Sequence, residues 1–250
     1  MDFESNELCV RDDRFWTLSN DMLRTPTDDR SHPCAEAFRD FVKGASFPCV
    51  GAKSALAKGD LNIVVARNIR SNWDDQRIYT ALLGFVARYR RRPDLFQSFA
   101  VVFEQNDHLD EVEFEQALWA RLQSIAEKDA TIGHAWDKRV AASPDNPHFS
   151  FSVAGEAFFI VGLHPLASRP ARRFQAPALV FNLHDQFERL RAEGRYEKLR
   201  ASIMDRDKAL AGSTNPMLNR HGEASEARQY SGRLVDDDWS CPFRAPSSAG

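Results

Sequence analysis

The residues best suited to chemistry lie mostly in the C-terminal half of this chain. Val161-Gly-Leu-His-Pro-Leu-Ala-Ser-Arg169 sets a histidine, His164, at the end of an apolar run, and Arg172 and Arg173 follow closely. An imidazole delivered by an apolar strand end is shielded from water and can bind a metal or heme iron through a neutral nitrogen. The plainer alternative is a histidine that hydrogen-bonds its own loop. Arg169, Arg172 and Arg173 present planar forks of donors that match carboxylates, against the alternative of a solvated basic loop. Asn182-Leu-His-Asp-Gln-Phe187 repeats the arrangement at another strand end, so His184 lies near His164 if the two strands are neighbours. Asn182 and Asp185 there are equally suited to capping the next helix. Phe47-Pro-Cys49 joins an apolar anchor to a possible thiolate, although a buried inert cysteine is the commoner outcome. Gly51-Ala-Lys-Ser54 lacks the first glycine and the Gly-Lys pair of a phosphate loop and is set aside.

These groups need a scaffold, and the hydrophobic pattern predicts one. Strands are expected at 62–67, 99–103, 149–153, 157–163 and 178–182, where β-branched and aromatic residues cluster. Apolar residues at three- and four-residue steps predict helices over 72–92 and 109–125, and shorter ones near 36–42, 49–58, 185–190 and 196–210. Only Ala154-Gly-Glu156 separates the third and fourth strands, which is too short for a helical crossover, so these two should form an antiparallel hairpin. The expected fold is α+β, a single domain with a largely antiparallel or mixed sheet of about five strands flanked by helices. Residues 1–30 read as a polar arm and 31–250 as the domain. The tail after Ser213 is richer in Tyr, Trp, Arg and His than a disordered terminus, so it should fold back. Trp239 and Phe243 would then be its anchors, with Glu226, Arg228 and Tyr230 available to face a pocket.

Composition narrows the function. Thirty-three basic and 36 acidic side chains give a formal charge of -3, which argues against nucleic acid as a partner. The longest apolar runs fall short of a membrane span, and the acidic start carries no apolar signal region. Cys9, Cys34, Cys49 and Cys241 show no CxxC spacing, so neither a zinc site nor a disulfide framework is expected, and a reduced, cytoplasmic setting fits.

Several of these blocks together resemble the YqcI/YcgG family. They are Phe47-Pro-Cys49, Gly162-Leu-His-Pro-x-Ala-Ser-Arg169, Phe181-Asn182 with Gln186-Phe187, Arg206-Asp207, Gly212-Ser213 with Asn215-Pro216, Ser225-Glu-Ala227 with Gln229-Tyr-Ser-Gly-Arg233, and Cys241-Pro-Phe243. The family includes heme-dependent N-hydroxylases of guanidino compounds, acting in D-cycloserine and guanitoxin assembly. The resemblance therefore implies heme b, dioxygen, an electron donor and a small guanidino substrate such as arginine or a derivative. Under that implication His164 is the first candidate for the iron ligand and Cys49 the second, with His184 and Cys241 also in matching blocks. Glu226 or Asp185 would hold the guanidinium, His184 would assist as a further catalytic group, and Arg169, Arg172 or Arg228 would hold carboxylates of heme or substrate. A homodimer is the open option for assembly. A heme sensor or carrier without oxygenase activity, and a cofactor-free binding module, are the rival classes.

Overall fold

The structure is a computed structural model that describes residues 7–8, 18–19, 29, 31–105, 108–217 and 222–246. Two short strands, β1 (Glu7–Leu8) and β2 (Leu18–Ser19), pair antiparallel. The rest of the proposed N-terminal arm lies outside the described residues, apart from Asp29.

The main sheet contains β3 (Leu61–Ala66), β4 (Ser98–Phe103), β5 (Phe151–Val153), β6 (Glu156–Leu163) and β7 (Ala178–Leu183). Its order is β3-β4-β7-β6-β5, with β3 and β4 parallel and every other pairing antiparallel. This is the expected mixed α+β sheet of five strands. The parallel pair follows from α3 (Asp75–Arg91), the crossover helix between β3 and β4. The β5–β6 hairpin also forms as expected. Its turn residues, Ala154 and Gly155, both have positive φ (53° and 71°), the conformation whose twist suits a two-residue hairpin.

Strand alternation gives the sheet two buried faces. On one face Phe99, Val101, Phe103, Phe158, Ile160, Leu179 and Phe181 pack against α3 and α4 (Glu111–Thr131). A capping box fixes the start of α4: Asp110 accepts from the Glu113 N–H, and the Glu113 side chain accepts from the Asp110 N–H. Gly162 lets the helix approach the sheet closely, since a Cβ there would lie 2.7 Å from Phe114 Cε1 and 2.9 Å from Leu118 Cδ1. On the other face Ile63, Val65, Ala100, Val102, Leu163 and Val180 meet α1 (Pro33–Lys43) and α2 (Val50–Lys58).

The tail does fold back. Phe243 is fully buried among Trp119, Trp136, Phe149 and Phe151, with ring centroids about 6 Å away. Glu115, buried on α4, clamps the segment before it by accepting from Ser231 Oγ (2.9 Å), the Arg233 guanidinium (2.5 Å) and Trp239 Nε1 (3.3 Å). Trp239 is thus a hydrogen-bonded, partly buried anchor and Phe243 a core residue. Among the described residues no helix is long and apolar enough to cross a membrane.

Candidate functional site

On the α1–α2 face the apolar register runs out toward one end of the sheet. Ser98, Asn182 and Phe159 are aligned across β4, β7 and β6 there. Ser98 Oγ donates to Asn182 Oδ1 (2.8 Å), and the Asn182 amide nitrogen reaches the Phe159 carbonyl (3.5 Å). This strip, two strand spacings or roughly 10 Å wide, floors a cavity of about 240 Å³. Cys49, Gly51 and Ala52 of the α2 region wall one side, together with Phe96. His184 opens α5 (His184–Ala192) and lines the cavity together with Phe187, Glu226 and Gln229, the last of these on the short α7 (Ala227–Tyr230). The same chamber is lined by Leu199, Arg200, Ile203 and Met204 of α6 (Tyr196–Ala211) and by Arg191 of α5.

Local hydrogen bonds explain how these side chains are held. Gln186 pairs with the backbone of Gln97 in both directions, accepting from its N–H (2.8 Å) and donating to its carbonyl (2.7 Å), which fixes the start of α5 to the start of β4. Cys49 caps α2, its Sγ accepting from the Ala52 N–H at 3.4 Å. Burial pushes that thiol above its ordinary range, against the lowering by the Ala52 and Gly51 N–H groups, so it rests protonated at neutral pH. His184, only 3% exposed, has Nδ1 at 3.4 Å from Ser150 Oγ and 3.9 Å from Glu226 Oε1. Ser150 in turn donates to Glu226 Oε2 at 2.6 Å. The other ring nitrogen, Nε2, is 3.1 Å from Glu188, a side chain about half exposed.

The remaining predicted site residues are elsewhere. His164 and His184 do directly follow two adjacent strands, but β6 and β7 run antiparallel, with Leu163 opposite Ala178 and Phe158 opposite Leu183. Their C-terminal ends therefore lie at opposite ends of the sheet along the strand direction, about 24 Å apart at 3.4 Å per residue. His164 is buried against Phe114 in a stacked pair (centroids 4.4 Å) and does not line the cavity; its Nδ1 has no hydrogen-bond partner. Burial lowers its pKa below the ordinary 6.5, opposed by Glu111 and the Leu109 backbone. The unfolded chain then takes up this proton first, so His164 favours the folded state fully above pH 6.5 and progressively less below it. Between pH 7 and pH 5 the wild-type chain should lose more stability than His164→Gln, read from urea midpoints; equal losses would mean that the imidazole is not desolvated in solution.

The arginines chosen as carboxylate holders are committed within the protein. Arg172 donates to the carbonyls of Gly162, Gln229 and Tyr230 (2.8 to 3.0 Å), and burial lowers its pKa to about 10, so it remains charged. Arg169 bonds Asp207 and Ser213, Arg173 the carbonyls of Ala167 and Ser168, and Arg228 those of Val235 and Asp236 while lying over Trp239. Asp185 accepts from Tyr89 and Arg139 outside the cavity. Neither it nor Asn182 caps α5 by a side-chain bond. Tyr230 is wholly buried, its hydroxyl donating to the Phe158 carbonyl and accepting from the Phe151 N–H. Cys241 lies in the core on the far face, its thiol pushed up to about 12 by burial. Of the predicted set, Cys49, His184 and Glu226 converge.

Ser98, Ser150, Gln97, Arg191 and Arg200 were not foreseen. A polar residue in the inward register of an apolar strand was the available signal for Ser98 and Asn182.

Fold and site define an open α+β sheet with a single-sided apolar chamber whose polar groups include an imidazole backed by a carboxylate. The YqcI/YcgG family pattern matches residues 38–244, and the chain belongs to that family. No curated protein and no solved structure matches it.

Proposed function

We propose that this cavity is the active site of a heme b-dependent, cytoplasmic N-hydroxylase of a guanidino compound, using dioxygen and electrons from a reductant or donor protein. The observation that carries the reading is the His184–Ser150–Glu226 arrangement at an apolar chamber in a chain of this family. A porphyrin iron needs one strong protein ligand, and a ligating imidazole is characteristically backed by a carboxylate or hydroxyl on its second nitrogen. His184 meets that description better than His164. Nδ1 faces Ser150 and Glu226, and Nε2 faces the half-exposed Glu188, whose surface pairing with Arg191 is of the weak, solvent-screened kind. Cys49 supports the reading less, because its thiol is kept protonated by burial.

Bound heme would supply the oxidising chemistry. The chain's own contribution is to orient and to exclude water. Phe96, Phe159 and Phe187 offer flat apolar contact, and the cations lining the chamber are Arg200 and Arg191, the latter paired with Glu188 and lying over Tyr196, so that a carboxylate of cofactor or substrate would have to exchange with such internal partners. Glu226 is the cavity carboxylate suited to a guanidinium, and it keeps His184 oriented through Ser150.

The test is an absorption spectrum of the full chain purified with ample heme, followed by oxygen consumption with arginine and simpler guanidines. A Soret band with guanidine-dependent oxygen uptake is expected. A colourless protein would favour a cofactor-free module, and a coloured one that never consumes oxygen would favour a sensor or carrier.

A further inference from the structure

The covering of the cavity is unlike the rest of the fold. Helices α3 and α4 each bury ten residues, whereas α6 buries one, Asp207. Its apolar residues Leu199, Ile203 and Met204 are half-buried because they line the chamber instead of packing into a core. A helix with so little buried apolar contact is drawn from the low end of local stability. Its N-terminal end follows Gly194, whose φ of 67° makes the sharp turn from α5, and Tyr196 packs edge-on to Phe187. Its C-terminal end is held by side-chain hydrogen bonds from Arg169. Arg169, from the loop after β6, donates to Asp207, to Ser213 Oγ (3.1 Å) and to the Ser213 carbonyl (3.0 Å), so it grips both the last turns of α6 and the residue beyond its Gly212 cap.

We infer that α6 is a lid over the cavity and that Arg169 is its latch, a positioning residue that acts through Asp207 and Ser213. Opening requires that this cluster of charge-assisted bonds be released, since among the described residues Asp207 is the one buried residue of α6. Closure brings Arg200 back to the chamber, so that a ligand's anionic group and the latch both favour the shut state. The inference holds whatever fills the cavity and does not rest on heme.

Cys49, which lines the cavity beneath the lid, and Cys241, in the core on the opposite face, provide paired reporters. The full chain without added heme is treated with iodoacetamide, and alkylation of each cysteine is followed by peptide mass spectrometry. In Arg169→Ala and Asp207→Asn, labelling of Cys49 should accelerate by roughly tenfold, the scale set by losing charge-assisted hydrogen bonds, while Cys241 keeps the wild-type rate. Hydrogen exchange of the unaltered chain should show α6 amides exchanging at least tenfold faster than those of α4. Parallel acceleration of both cysteines would reveal global loosening and overturn the lid; so would no change at Cys49, or α6 amides as slow as α4. The exchange measurement decides the matter even if neither variant folds.

Discussion

The full chain carrying His184→Ala should bind hemin at least about 100-fold more weakly than the unaltered protein, judged from the 10–100-fold already typical for losing a residue that merely supports a metal ligand. That is at least about 2.8 kcal/mol of binding free energy at 1.4 kcal/mol per tenfold. Added imidazole should restore the Soret band by occupying the vacated position. Glu226→Gln keeps the shape of the side chain and removes its charge, so it should weaken hemin by about 10- to 100-fold and leave the band in place. Cys49→Ala and His164→Ala should retain heme, because the first loses a protonated helix cap and the second an imidazole remote from the chamber. Should Cys49→Ala lose the band while His184→Ala keeps it, the iron is thiolate-bound; should only His164→Ala lose it, the chamber is not the heme site at all. Ferrous carbonyl spectra separate thiolate from imidazole independently of any substitution.

Phe243→Ala is expected to cost about 3–5 kcal/mol of stability, the range for deleting a fully buried aromatic ring. Four aromatic neighbours line the void, and they belong to α4, to the segment before β5 and to β5 itself, so the site has little freedom to collapse. For a domain with ordinary marginal stability such a loss removes much of the margin, and soluble yield should fall with it. Trp239→Ala should do less, because its ring is partly exposed and Glu115 retains Arg233 and Ser231 as partners. A chain ended before Leu234 that melts at the unaltered temperature would show that the tail is dispensable. The tail also matters beyond stability: it carries Glu226 and Gln229 to the cavity, and Arg172 ties the carbonyls of Gln229 and Tyr230 to the sheet.

Much of this architecture is decided locally and is therefore readable from the sequence. Five strands follow from short β-branched and aromatic runs, the β5–β6 hairpin from a connection too short for anything else, and the end of α6 from Gly212, which takes the left-handed cap (φ 74°), because each signal acts over a few residues of chain. The return of the tail is likewise written in its composition, since Tyr230, Cys241 and Phe243 have no reason to stay in water. Which polar groups meet is a different matter. The antiparallel pairing of β6 with β7 separates His164 from His184, although the two occupy equivalent strand ends in sequence. Ser150 and Glu226 meet across 76 residues, and Gln186 joins Gln97 across 89, through hydrogen bonds that no local pattern encodes. Arginine clusters look alike in sequence whether their forks meet a ligand or a carbonyl. Only the packed structure turns Arg172 to three backbone oxygens and Arg169 to Asp207, because a buried guanidinium must satisfy its donors wherever the tertiary fold supplies acceptors.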